Sequence, residues 1–371
     1  MKPRTKALTA AVTGTALGIS GLAVLAVPAG AGADPELPEI SPEELVESAL
    51  AADPPAFAGT VGVDERIGLP EIPGNDLTNL DSARVWHDGD AGSRLAIERE
   101  SAERTIVHNS DGVWMYDSQE NTATRYPAPE KTHGGEQGPP PAQMGANDPA
   151  GASTEIIDAL RESSTITVDG TARVADRSAY ELILTPKPEE RTVLREVKIA
   201  VDAETRLPLR FEVLPAGSPE PVLSAGFTGI DFGEQPADLF SFTPPDGARV
   251  VEGDPGEHAQ PGDLPDPEAG LENLADASPV GDGWDTVLTG TLPEGALSGG
   301  ADAEGPPEHG QDPAGPGPQA LLEQSGERVS GDFGSGYVIT TRAGTALVTD
   351  DGRFAVGAVP QQVVTEALEE S

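Results

Sequence analysis

A chain of 371 residues has room for one large domain or two moderate ones, with linkers to spare. Its 23 Lys and Arg stand against 63 Asp and Glu, and the net charge of −40 repels nucleic acid and anionic membrane surfaces. The absence of cysteine excludes disulfides, thiolate metal sites, cysteine nucleophiles and a lipid-modified cysteine anchor, but leaves export open.

Lys2, Arg4 and Lys6 precede the uncharged stretch Ala7–Val27, and Ala31-Gly32-Ala33 has the small-residue pattern of a signal-peptidase site. A signal peptide over residues 1–33 is expected, leaving Asp34 as the new terminus. Ala7–Val27 is also close to the length that spans a bilayer, so an uncleaved anchor is the alternative. Either way the bulk of the chain is expected outside the cytoplasm, secreted or held in the cell envelope.

Ser41-Pro-Glu-Glu reads as a helix N-cap, a proline at the first helical position and an acidic first turn. The helix spans Ser41–Ala52, stops before Asp53-Pro54-Pro55, and places Leu45, Val46, Ala49 and Leu50 on one stripe. From Phe57 the period changes to two. Strands are expected at 57–67, 82–88, 93–99, 104–109, 113–117 and 121–126, with turns such as Asp88-Gly89 and Ser110-Asp111-Gly112. No helix-length crossover separates them, which excludes a parallel α/β sheet. Pro127–Ala152 reads as a surface loop, and Ser153–Glu162 as a short helix with Ile156, Ile157 and Leu160 inward. Strands at 165–174 and 178–185 follow, joined by Ala175-Asp176-Arg177.

Thr192–Val251 reads as an antiparallel meander. Val193, Val197, Ile199 and Val201 share a dry face with Arg195, while Glu196, Lys198 and Asp202 face the other way. Asp202–Arg206 turns the chain, and Leu207, Leu209, Phe211 and Val213 line the dry face of the next strand, with Pro208 suited to its start or to an edge. Val222–Phe232 makes a third strand and Phe240–Phe242, before Pro244-Pro245, a short fourth.

The run IAVDAETRLPLRFEV, followed by FTGIDFG and FSFTPPDGARVVE, resembles the end of the LolA-type lipoprotein-carrier domain, a fold shared with RseB-type periplasmic regulators and mycobacterial lipid-carrier lipoproteins. The likeness extends back to about Ser41 and covers roughly Ser41–Glu252. It implies an α+β protein: a curved antiparallel half-barrel whose open side is plugged by helices around an apolar cavity for acyl chains.

Gly253–Pro279 and Leu292–Ala320 are too polar to bury a core. Gly283–Leu292 reads as an isolated strand, Gly331–Arg342, Thr345–Thr349 and Arg353–Val359 as a hairpin set, and Pro360–Glu369 as a closing helix. Trp284, Phe333, Tyr337, Val338, Leu347 and Phe354 are candidates for a small core. The expected division is a binding domain over 34–252, a linker over 253–281, and a small β module over 282–371 broken by an insertion at about 293–320. The tail TALVTDDGRFAVGAV resembles the smaller C-terminal domain of RseB-like regulators, a module that plain carriers lack.

Catalysis finds little support. His87, His108, His133, His258 and His309 are scattered, the last three in linkers, and neither H-E-x-x-H nor a nucleophile elbow occurs. Gly331-x-x-Gly334-x-Gly336 precedes a strand and reads as a turn rather than a phosphate loop. No metal or cofactor is expected. In a half-barrel, Leu182, Leu184, Val197, Ile199, Leu209 and Phe211 converge on one concavity, with Leu45 and Leu50 facing them from the first helix. These residues serve either as an ordinary core or as cavity walls for a lipid or lipoprotein acyl chain. The expected function is a non-enzymatic carrier of such a chain. The alternative is an RseB-like sensor that binds an extracytoplasmic segment of a membrane protein in anti-sigma-factor signalling.

Overall fold

The computed structural model describes residues 37–68, 82–98, 103–128, 149–253, 277–292 and 318–371; the expected signal segment lies outside them. Helix α1 spans Pro42–Leu50 and carries the predicted cap. Ser41 Oγ accepts from the Glu44 amide at 3.1 Å, and Glu44 Oε2 accepts from the Ser41 amide at 3.1 Å. Leu45 is buried, but Leu50, expected on the same inward stripe, is 38% exposed. The helix ends at Leu50 itself, so no further turn holds that side chain against the core.

Twelve strands form one unclosed sheet: β1 (Phe57–Glu65), β2 (Ser82–His87), β3 (Ser93–Glu98), β4 (Glu103–Asn109), β5 (Gly112–Asp117), β6 (Thr122–Pro127), β7 (Ser164–Val174), β8 (Arg177–Pro186), β9 (Leu194–Asp202), β10 (Pro208–Pro215), β11 (Leu223–Phe232) and β12 (Arg249–Glu252). Their spatial order is β12-β6-β5-β4-β3-β2-β1-β11-β10-β9-β8-β7, so two up-and-down runs meet where β1 pairs β11. Helix α2 (Pro149–Arg161) links the runs and packs on α1, with Arg161 ion-paired to Glu43. It begins before the expected Ser153. The turn at Gly112 has φ 127, a conformation open to glycine, and a Cβ there would meet the Tyr126 carbonyl oxygen.

The sheet is strongly bent. β7 and β11 stand four strand spacings apart, roughly 19 Å if flat, yet they touch. Val174, Ala179 and Ala200 join Phe57, Val61, Ala83, Ile97, Leu209 and Phe227 in one buried cluster. This is an α+β half-barrel, as the sequence resemblance implies.

Two readings of the meander change. Phe240 closes a single 3-10 turn, Ala237–Phe240, and Phe242 lies outside any strand. This segment instead crosses the outside of the first run, where the Phe242 ring packs on Trp114 and Tyr116 at 5.4 and 5.8 Å between centroids. The chain then emerges at the far edge, where β12 pairs parallel to β6, the one parallel pair among the described strands. Asp202, placed on the wet face by alternation, has a fully buried side chain.

A second, six-stranded antiparallel sheet contains β13 (Ser278–Val280), β14 (Val287–Thr291), β15 (Glu327–Gly331), β16 (Gly334–Thr340), β17 (Thr345–Thr349) and β18 (Arg353–Gly357), in the order β13-β14-β18-β17-β16-β15. Helices α3 (Pro318–Ser325) and α4 (Gln361–Glu370) accompany it. Val363, Val364, Ala367 and Leu368 of α4 bury against Val287, Phe333, Val338 and Leu347. β13 lies within the stretch read as the first linker, and α3 begins at the end of the second and runs past it. Trp284 is not part of this core, because its ring packs on the large sheet instead.

Candidate ligand-binding faces

The Asp202 turn explains the sequence pattern that carries the resemblance. Asp202 Oδ1 accepts from the Glu204 and Thr205 amides at 3.0 and 2.7 Å and from Thr205 Oγ1, while Arg177 forks onto both carboxylate oxygens. Burial pushes the Asp202 carboxyl up, but Arg177 and those two amides outweigh it and hold the group below the usual carboxylate range. Pro208 starts β10, as expected of a residue with no amide hydrogen to give. The pattern is therefore structural: it ties the β9–β10 turn to the β7–β8 hairpin.

Six of the eight predicted wall residues come together. Leu45, Leu182, Leu184 and Ile199 are buried in one cluster with half-buried Val197 and Phe211, and Val46 and Ala49 of α1 and Leu160 of α2 close over it. Leu209 is buried elsewhere. The register slips between Pro208 and Arg210, so Leu209 falls between β9 partners and joins the cluster of Phe57 and Phe227. Leu50 faces outward.

A different apolar surface runs along the first six strands. Cross-strand register aligns Gly59, Val85, Leu95, Ile106, Met115, Thr124 and Val251 in a single row from β1 to β12. Val85 and Leu95 rest against the core, Ile106 and Met115 are half-buried outside any core cluster, and Val251 is 38% exposed. The opposite face of these strands is the one covered by Phe242. Alternation in the sequence marks these residues as one face; that the helices leave it aside is set by the second run of strands.

The two sheets meet along Glu190–Val193. The Val193 amide and Thr192 Oγ1 both donate to Ala358 O, at 2.9 and 2.6 Å. Arg191 pairs with Asp285 and Glu366. Trp284 Nε1 donates to Ser164 Oγ at 2.8 Å, and its amide donates to Glu190 Oε2 at 2.9 Å. Burial pushes the Glu190 carboxyl up, with Asp285, Asp282 and Glu189 adding to the rise against the Trp284 amide. A shallow cleft of about 500 Å³ opens beside this contact, between Pro215–Ser218 and Thr341–Arg342.

His87 and His108 each place Nδ1 near a carbonyl of the β2–β3 turn, Gly92 O at 3.2 Å and Ala91 O at 2.8 Å; the other three histidines lie outside the described residues. No cluster of potential metal ligands occurs among the described residues. None of their helices is long and apolar enough to cross a membrane.

Residues 75–239 match the family model of the MucB/RseB N-terminal domain, in keeping with the resemblance read from the sequence. Among solved structures, the chain is similar to MucB in the MucA/MucB complex of Pseudomonas aeruginosa, with 17% identity and a TM-score of 0.41 over 87% of this chain and 94% of that one. A conserved protein of Thermus thermophilus has 15% identity and a TM-score of 0.32, covering 56% of this chain and 95% of that one. A LolA-superfamily protein from Nitrosomonas europaea has 15% identity and a TM-score of 0.23, covering 55% and 99%. The comparison with curated proteins finds no match.

Proposed function

We propose that this chain is a non-enzymatic, extracytoplasmic binding protein of the RseB kind, which engages an extracytoplasmic segment of a membrane protein. The match of residues 75–239 to the MucB/RseB N-terminal domain carries this reading. The hydrogen-bonded seating of the second sheet on Thr192 and Val193 supports it, since a simple carrier has no need of that module. The test is photo-cross-linking of the full chain from Met115 and from Arg342 in the producing cell. A membrane-protein segment is expected among the adducts and should be lost when Trp284→Ala loosens the second sheet. Adducts with lipid alone would overturn the reading.

The half-buried row Val85–Leu95–Ile106–Met115 favours a second reading, in which the bound group is an acyl chain of a lipid or lipoprotein. Each methylene taken from water onto such a row contributes roughly 0.8 kcal/mol, so a long chain binds with no specific polar site. Native mass spectrometry after mild purification decides: a bound mass in the lipid range that persists in Trp284→Ala identifies a carrier.

A further inference from the structure

The sheets have four outer strands, β7, β12, β13 and β15, and natural edges are blunted by bulges, prolines, charges or packed helices. β7 is bulged between Asp169 and Ala172 and packs against both α1 and α2. β13 carries Pro279 at its centre. β15 carries Glu327 and Arg328 and runs beside β16, against which α3 packs. β12 has only a charged pair, Arg249 and Glu252, with no bulge and no proline, and all four of its residues are exposed, Val250 at 54% and Val251 at 38%.

The direction of its backbone groups follows from its register. The Arg249 amide donates to Asn121 O and the Gly253 amide to Arg125 O, both at 2.9 Å. Alternate residues of a strand face one neighbour, so 249, 251 and 253 address β6 while the amides and carbonyls of Val250 and Glu252 point away from the sheet. Val251 also ends the apolar row that begins at Gly59, so a strand laid beside β12 would extend that row by one position.

We propose that β12 is a strand-addition edge, and that its occupant is an extended, net-basic, aliphatic-alternating segment of the partner protein. The inference rests on the reading of the chain as a partner-binding protein and names the surface used. Main-chain bonds to Val250 and Glu252 supply register, and the two valines supply apolar contact. Charge selects the occupant. Exposed Asp246 and Glu252 outnumber the exposed Arg249 around the valines, and the chain's −40 charge favours a basic occupant over a second copy at the same edge.

The probe is a dye-labelled peptide, acetyl-(Lys-Val)4-amide, titrated against the full chain by fluorescence anisotropy at physiological salt. Its twin, N-methylated on alternate residues, keeps charge and side chains but cannot complete the ladder. Binding of the first, with the twin at least tenfold weaker, is expected. Val250→Pro should weaken the first at least tenfold at an unchanged melting temperature, because the Val250 amide gives nothing to β6. If that variant melts early, the comparison of the two peptides on the unaltered chain still decides. Equal binding of both peptides overturns the proposal, since charge alone then accounts for it. So does light scattering that finds a dimer abolished by Val250→Pro, which puts a second copy on the edge. Binding seen only after removal of residues 254–276 overturns it as well, by assigning the edge to the chain's own segment. Cross-linking to the membrane-protein segment that is unaffected by Val250→Pro sinks the edge alone and leaves the proposed function standing. No such cross-link from the unaltered chain sinks both.

Discussion

The Arg177 guanidinium on β8 lies 4.7 Å from the centroid of the Phe232 ring on β11, although β9 and β10 stand between their strands. Three flat strand spacings would separate them by about 14 Å, so this contact measures how far the sheet is bent. The same guanidinium forks onto buried Asp202, and one side chain therefore ties the β7–β8 and β9–β10 turns to the end of β11. Arg177→Met keeps an apolar stem but leaves the Asp202 carboxylate buried without its cation. Urea unfolding should show a loss of about 3 kcal/mol. Glu204→Ala should cost under about 0.5 kcal/mol, because that second partner is 80% exposed. Equal losses in the two variants would show that the fork is not what holds the bend.

Asp202 also sets a dependence on acid. Its folded-state pKa lies below the ordinary value, so its contribution is complete above an unfolded value of about 3.9. That contribution disappears as the pH falls through the lower, folded value. Asp202→Asn should be less stable than the unaltered chain at pH 7, and the gap should narrow below about pH 4. Chemical denaturation at pH 7, 5 and 3 reads this directly; a gap that widens in acid contradicts the assignment.

Glu190 has the opposite sign. Its folded-state pKa is raised, so the ionised carboxylate carries a penalty that is full above the folded value and vanishes below the unfolded one, about 4.3. Glu190→Gln should stabilise the chain at pH 7 and make no difference near pH 3, provided the amide oxygen still accepts from the Trp284 amide. Trp284→Ala should separate calorimetric melting into two transitions, since the indole both donates to Ser164 and packs on the large-sheet cluster. A single unshifted transition would mean that the Ala358 hydrogen bonds and the Arg191 ion pairs hold the sheets together without the indole.

Leu184 and Ile199, each 8% exposed beneath the helices, sit where a cavity was expected. Leu184→Phe or Ile199→Phe should overpack that cluster and lose about 1–3 kcal/mol. Met115→Glu on the half-buried row should cost less stability and abolish any co-purified acyl chain, measured by native mass spectrometry. A stable Ile199→Phe that takes up less lipid would return the site to the helix-covered cluster.

Much of this chain was legible residue by residue. The Ser41 cap, the hairpin turns, Pro208 at a strand start and the closing helix near Gln361 all follow from interactions within a few residues, where propensity and alternation act directly. Asp202 marks the limit of that reasoning. Alternation assigns it to a face, but whether the face is wet depends on Arg177, which arrives from another hairpin. Leu209 is buried as its hydrophobicity demands, yet a one-residue slip of register decides which cluster receives it. Leu50 shares a helical stripe with Leu45, and the end of α1 leaves it outside. The partner of Arg249–Glu252 and the role of Phe242 depend on closure across more than a hundred residues, where many pairings satisfy the same local pattern. Period two tells a strand that it has two faces; only the packed sheet decides which is covered, and so which row of side chains remains to meet a ligand.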